Sequence, residues 1–283
     1  MTLTLKWNDH FLDLDAKTHI MGVLNVTPDS FSDGGHYFDT QKAIEHGIEM
    51  AEEGADIIDV GGESTRPYAR KLSAEEEIER ALPVISALSD ALPVPISIDT
   101  YKARVARRAL DAGAAIINDV SALRFDPDMA KVAADAAVPV ILMHMKGRPE
   151  TMQNEPRYDD LIPDIMMFLR DALNRAEAAG IQREMILLDP GIGFGKTFDQ
   201  NLMILRELAR FNALGRPLVL GCSNKAFIGH ILKKEPHERD TGSMAAAAVG
   251  VMNGAHVVRV HNVKQAVETV KIVDAIKAGK TPG

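Results

Sequence analysis

The sequence predicts an α/β fold, a (β/α)8 TIM barrel with a short N-terminal β-hairpin. Eight short apolar runs recur about every 35 residues, each followed by a polar or Gly-bearing turn and a helical stretch. Those runs are continuously apolar rather than alternating, which marks strands buried on both faces. The 283 residues also match one barrel of ordinary size, so 1–283 is expected to form a single domain. A doubly wound sheet is the other α/β option, but it needs a topological switch and usually fewer strands.

In chain order, residues 2–14 alternate like a strand pair and predict a small hairpin that closes the barrel bottom. The strand runs are IMGVLNV (20–26), DIIDVGG (56–62), PISIDT (95–100), AIINDV (115–120), PVILMHM (139–145), MILLDPG (185–191), RPLVLGCS (216–223) and HVVRVHN (256–262). Between them lie helical patterns such as TQKAIEHGIEMAEEGA, SAEEEIERALPVISALSDAL and YKARVARRALDAGA. EEGADI, DAGAAI and NGAHVV place Gly at a helix end, where it supplies a positive φ at little steric cost. The segments 26–40, 62–72 and 145–158 exceed ordinary turns and are rich in Gly, Pro and Asp. All three follow strands, so they belong to the C-terminal rim, where barrel active sites lie.

Every apolar run ends in polar residues. They are Asn25; Asp59 with Glu63-Ser64-Thr65-Arg66; Asp99; Asn118-Asp119; His144; Asp189; Ser223-Asn224-Lys225; and Arg259 with His261. One such residue is an ordinary cap or turn; a full ring of them at one face predicts an enzyme. The ring is electrically divided. Asp99, Asn118 and Asp189 suit a flat ring bearing amino, N–H and carbonyl groups, because carboxylates accept and an amide both donates and accepts. Lys225, Arg259 and His261 come from strands 7 and 8, the usual phosphate side of a barrel. Asn25, with Asp29 and Asp33, offers oxygen to Mg²⁺, which takes few protein ligands beside substrate phosphates.

PGIGFGKT (190–197) nearly matches the phosphate loop G-x-x-x-x-G-K-[ST], but Pro190 stands where the first Gly belongs. Its glycines are expected to let backbone approach a flat ligand, with Phe194 lining the pocket. A net charge of −8 argues against nucleic acid and anionic membrane as partners. The single cysteine, Cys222, excludes an internal disulfide and a Cys-based zinc site and fits a reducing cytoplasm. No basic, apolar leader opens the chain, and no apolar run reaches the ~18 residues that span a bilayer. Small molecules are the expected partners.

The blocks MGVLNVTPDSFSDGG (21–35), IIDVGGESTRP (57–67), ISIDT (96–100), IINDV (116–120), ILMHMKGRPETMQ (141–153), LLDPGIGFGKT (188–197) and VVRVH (257–261) resemble dihydropteroate synthases. The resemblance implies a barrel, usually a homodimer, in folate biosynthesis and a target of sulfonamides. It implies condensation of 7,8-dihydropterin-6-ylmethyl diphosphate with p-aminobenzoate to 7,8-dihydropteroate and diphosphate, with Mg²⁺. It assigns Asp99, Asn118 and Asp189 to the pterin edge, Lys225 to the same ring, and Met143 and Phe194 to the slot walls. Arg259, His261 and Asn25 fall on the diphosphate and metal positions, Thr65 and Arg66 on the aminobenzoate side, and Phe31, Asp33 and Pro67 on loop closure. Asp99, Asp189, Lys225, Arg259 and His261 form the implied catalytic set. One departure stands out: the family usually reads Ser-Arg-Lys where this chain has Ser223-Asn224-Lys225. A Ser-Asn pair also resembles the related methyltransferases that act on methyltetrahydrofolate and a corrinoid protein, which are not expected to carry the TPDSFSDGG loop. A barrel without activity, retained to bind partners, is the third class, and the intact polar ring argues against it.

Overall fold

The structure is a computed structural model and describes residues 3–26, 35–64, 70–153 and 156–281, the side chains of 35–39 aside. A two-stranded antiparallel hairpin, β1 (Thr4–Trp7) and β2 (His10–Asp13), comes first. Its alternating residues turn Leu5, Trp7 and Leu12 inward, and the Trp7 indole N–H donates to the Ala115 carbonyl at 2.8 Å. Ala115 immediately precedes a barrel strand, so the hairpin does cover the N-terminal end.

Eight parallel strands follow: β3 (His19–Asn25), β4 (Ile57–Gly61), β5 (Ile96–Asp99), β6 (Ile116–Asp119), β7 (Val140–Met143), β8 (Ile186–Asp189), β9 (Val219–Leu220) and β10 (Val257–Val260). They run in the order β8-β7-β6-β5-β4-β3-β10-β9. The ring closes through one parallel bridge, Leu188 to Leu218, where the Leu188 N–H donates to the Pro217 carbonyl at 2.9 Å. The run 216–223 shrinks to a two-residue strand because Pro217 has no N–H to give a ladder. Its carbonyl still accepts from Leu188 and helps to make the seam.

Helices fill each crossover: α1 (Gly35–Glu52), α2 (Ala74–Ala91), α3 (Ala103–Asp111), α4 (Met129–Ala136), α5 (Leu161–Ala178), α6 (Phe198–Arg206), α7 (Ala226–Leu232), α8 (Asp240–Met252) and α9 (Val263–Ala278). Two of them, α7 and α8, lie between β9 and β10: Lys233 turns left-handed at the end of α7 and Pro236 opens a separate turn before α8. Gly54, Gly113 and Gly254 hold φ of 104°, 103° and 102°, the positive values expected of them ahead of β4, β6 and β10.

Parallel pairing sets which side chains share the barrel interior, since partners in register point the same way. Asp59 pairs with Ser97 and Asp99 with Asn118; Met143 pairs with Asp189 and Arg259 with Met21. Lower in the barrel the same faces carry Met21, Ile57, Ile116, Ile141, Leu187 and Val257, all buried in one apolar core. That layer is the floor beneath the polar mouth.

Candidate active site

The C-terminal mouth holds a narrow recess. Asp99, Asn118, Met143, Asp189, Phe194, Lys225 and Arg259 line it together with Val120, Ile192 and Gly221. These residues come from six strands and the segments following them, gathered by the shared inward register. His144 and Asp119 do not join them. Each is one step out of phase with an inward residue, Met143 and Asn118, so period two turns it outward. His144 packs edge-on against Phe168 of α5, with ring centroids 4.7 Å apart. The Asp119 carboxylate accepts from the N–H groups of Ser121 and Leu123 at 2.8 and 2.7 Å and closes the turn after β6.

Arg259 reaches across the mouth to two carboxylates. Its Nε donates to Asp59 Oδ2 at 2.6 Å and its Nη2 to Asp99 Oδ2 at 2.7 Å. Asn118 Nδ2 donates to the same Asp59 oxygen at 3.1 Å. Burial works against the guanidinium charge, but the Asp59 and Asp99 carboxylates hold it above its ordinary value. Burial lifts the Asp99 carboxyl to about 7, with Arg259 opposing the shift and Asp59 adding to it. Asp99 Oδ1 is buried and has no hydrogen-bond partner among the described residues. It is an acceptor on the wall of the recess.

Opposite lies Asp189, whose Oδ1 accepts the Gly191 N–H at 2.6 Å. Burial raises its carboxyl, against the pull of that N–H and of the Lys225 charge. Lys225 is brought down to about 8 by burial and by the charge of Arg259, with Asp189 resisting. Its Nζ sits 4.5 Å from the centroid of the Phe194 ring. A cation over an aromatic face, flanked by carboxylates, makes a narrow slot with polar edges and apolar faces.

The Pro190–Lys196 segment forms no phosphate loop. Lys196 is buried and turns beneath its own backbone, reaching the carbonyls of Gly191 and Phe194 at 2.8 and 2.9 Å and His144 Nδ1 at 2.9 Å. The glycines were expected to face a ligand, yet two of the three face protein. A Cβ on Gly191 (φ 72°) would collide with the His144 carbonyl, and one on Gly195 would lie 2.7 Å from the Lys146 carbonyl. Gly193 is the one beside the slot, 3.2 Å from Lys225 Cδ on the same construction.

Ser223 Oγ and His261 Nδ1 are 3.0 Å apart at the ends of the seventh and eighth units. Asn25 ends β3, half-buried and in register with Gly61. Asn224 takes a left-handed φ of 58° and turns toward α8: its N–H donates to Ser243 Oγ at 3.0 Å, and its side-chain oxygen accepts from that hydroxyl at 3.4 Å. Its carbonyl accepts from Arg239 at 3.1 Å. Phe31, Asp33, Thr65, Arg66 and Pro67, along with Asp29, lie outside the described residues. Lys196 escaped the sequence reading of the site, as did the contacts of two residues of the polar ring, Asp59 and Glu63. Asp59 was seen as a polar strand end, but its hold on Arg259 depends on a contact 200 residues away in the chain. Lys196 was hidden by the near-match to a phosphate loop. Glu63, at the start of the second rim segment, accepts from Leu72 N and from Lys102 Nζ, each at 2.9 Å, and so ties the two ends of that segment together.

Comparison with known proteins agrees with this geometry. Residues 21–261 match the family model described as pterin binding enzyme. The chain is 46% identical over 269 residues to a dihydropteroate synthase of Escherichia coli (strain K12), covering 95% of each. It is 48% identical over 265 residues to that of Bacillus subtilis (strain 168), covering 94% of this chain and 90% of the relative. A crystal structure of Xanthomonas albilineans dihydropteroate synthase with 4-aminobenzoic acid superposes with a TM-score of 0.92 at 43% identity, covering 98% of this chain and 99% of that one. The same enzyme in complex with 7,8-dihydropteroate gives 0.86 at 42%, covering 95% and 96%. With the barrel, its mouth and these relatives in agreement over nearly the whole chain, the protein belongs to the dihydropteroate synthase family of pterin-binding enzymes.

Proposed function

We propose that the recess holds a dihydropterin whose 6-methylene diphosphate points toward Arg259 and His261, and that p-aminobenzoate attacks from the outer rim to give 7,8-dihydropteroate. The observation that carries this assignment is the pairing of acceptors on opposite walls, Asp99 and Asp189, about a slot faced by Phe194 and Met143. The amino and ring N–H groups of a pterin meet Asp189, Asn118 can both donate and accept, and Lys225 donates to the ring's acceptor edge. The bond between the exocyclic 6-methylene carbon and the diphosphate oxygen breaks first, the diphosphate leaves with the electron pair, and the arylamine then forms the C–N bond to that methylene and loses a proton. Ionised Asp99 and Asp189 favour the positive charge that spreads over the pterin during that departure. Arg259 has five N–H donors, of which two are engaged by Asp59 and Asp99, so the others remain to meet phosphate oxygens.

Mg²⁺ fits the donor set as a lightly held ion. Among the described residues no three His, Cys, Asp or Glu side chains cluster as a metal site, and Asn25 offers a single amide oxygen at the rim. That is the chemistry of an ion retained mainly by phosphate and water, and bound there it would neutralise charge on the departing diphosphate. The Ser-Asn pair that resembled methyltransferases is accounted for by the α8 contacts of Asn224.

The proposed assembly is a homodimer. Phe198, Leu202 and Met203 of α6, Ile231 and Leu232 of α7, and Val249 and Met252 of α8 are exposed on adjoining helices. A second copy would cover that apolar face. The cytoplasm is the proposed location, supported by a sequence with a single cysteine, Cys222, which is buried. Among the described residues no helix is long and apolar enough to cross a membrane. The deciding experiment is incubation with the pterin diphosphate, Mg²⁺ and labelled p-aminobenzoate. Labelled dihydropteroate with equimolar diphosphate is expected; diphosphate release without C–N bond formation, or neither, rejects the assignment.

A further inference from the structure

We propose that Lys196 is a positioning residue for the pterin slot, fixing from below the separation between its Asp189 and Phe194 walls. A lysine so deep in the protein would normally be replaced by an apolar side chain of similar length, which fills the space with no desolvation cost. Lys196 is instead 2% exposed and uses its amine on the backbone of one loop. Its Nζ reaches the Gly191 carbonyl at 2.8 Å, the Phe194 carbonyl at 2.9 Å and His144 Nδ1 at 2.9 Å. The amine donates to the two carbonyls, and its third short contact is with a ring nitrogen that can accept or donate.

Each contact is made at a residue that lines the slot or at its neighbour in the chain. Gly191, held by its carbonyl from below, gives its N–H to Asp189 Oδ1 at 2.6 Å. Phe194, held in the same way, presents its ring to Lys225. His144 follows Met143 at the end of β7 and is wedged between Phe168 and Tyr158, so the third contact ties the loop to a fixed part of the barrel. Burial holds the lysine well below its usual pKa, in keeping with an amine enclosed by protein rather than one offered to a phosphate. Side chains on the rim hold the outer side of the loop: Gln153 donates to the Gly193 carbonyl and Tyr158 to that of Gly195, both at 2.7 Å. The loop is therefore held between an inner tie and two outer ones, and the inner tie alone links both walls.

The inference rests on the recess being the pterin slot, and Asp189→Asn in the otherwise natural protein tests that assignment separately. Normal pterin binding by Asp189→Asn would refute the slot itself. For Lys196, the test is Lys196→Met, with steady-state kinetics measured for each substrate in turn. The KM for the pterin diphosphate should rise about tenfold while that for p-aminobenzoate stays within about twofold. Trp7→Phe, which removes the indole bond at the far end of the barrel, serves as the stability control. It should lower the melting temperature without separating the two KM values. Unchanged pterin KM, or parallel rises in both, would overturn the proposal. If Lys196→Met does not fold, His144→Leu and His144→Asn replace it. Leu deletes the third contact and should raise the pterin KM selectively, and Asn, which supplies an acceptor near the Nδ1 position, should restore it. Equal behaviour of those two variants would also overturn it.

Discussion

Asp99 and Lys225 face one recess with their titrations drawn close together, about 7 and about 8. Asp99 acts ionised and loses its charge below its pKa; Lys225 acts as an ammonium and loses its charge above its own. The kcat/KM for the pterin diphosphate should therefore trace a narrow bell, rising with pH through about 7 and falling beyond about 8. In Asp99→Asn the acid limb should vanish while the alkaline limb stays; an acid limb that persists unchanged belongs to another group. Asn224 gives a second residue-scale prediction. Its left-handed backbone suits Asn better than Arg, so Asn224→Arg should cost about 1 kcal/mol of stability in a urea melt. It also places a guanidinium at the rim, where a regained charge-assisted bond of ~1.5 kcal/mol would lower the p-aminobenzoate KM about tenfold. Lost activity would mean that the rim is built around Asn224. At this scale the sequence displayed Asp99, Asn118, Asp189 and Lys225, because each ends a continuous apolar run. It mistook His144 and Asp119 for ring members, although counting by two from Met143 and Asn118 would have turned them outward. The Arg259 bridge was beyond reach, since nothing local shows that Asp59 lies across the mouth.

The connection from β8 to α6 behaves as one element with a stop at each end. At its far end Thr197 and Gln200 form a reciprocal cap, Gln200 N–H to Thr197 Oγ1 at 3.2 Å and Thr197 N–H to Gln200 Oε1 at 2.8 Å. At its near end Gly191 combines a positive φ with contact against the His144 carbonyl. Gly191→Ala should lose about 1–3 kcal/mol to backbone strain alone, with further loss from the collision. Chemical denaturation checks that figure, and a raised pterin KM should accompany it because the collision with the His144 carbonyl shifts the backbone N–H of residue 191 away from Asp189. A variant as stable as the parent would show that the loop can rearrange freely. Elements of this kind were partly legible: the strand runs and the helix-ending glycines could be placed from apolar continuity and composition. Strand length was not, because it depends on how many N–H groups find partners, and Pro217 cuts the seventh strand to two residues. The division of the crossover after β9 likewise follows from Lys233 and Pro236 rather than from hydrophobic period.

The apolar face over α6, α7 and α8 is a property of the whole molecule, since three separate helices must align to make it. In sedimentation equilibrium the protein should behave as a pair of 30.8 kDa chains. Leu202→Glu combined with Val249→Glu should give single chains, because two charges would be desolvated in every pairing. A pair that survives both changes uses another surface. The architecture as a whole was the most legible feature, because a repeated strand–helix unit admits few closed arrangements. How the ring would close was not. The bridge from Leu188 to Leu218 is the least bonded joint of the ring, with Asp189 at the end of one of its strands and Lys225 in the segment after the other. Local opening begins where backbone bonds are fewest, so the first breathing motion of this barrel parts that carboxylate from that amine. A flat guest lodged between them bolts the joint shut. Occupancy and fold stability then rise together, and the Leu188 amide should exchange with solvent more slowly the more tightly the guest is held.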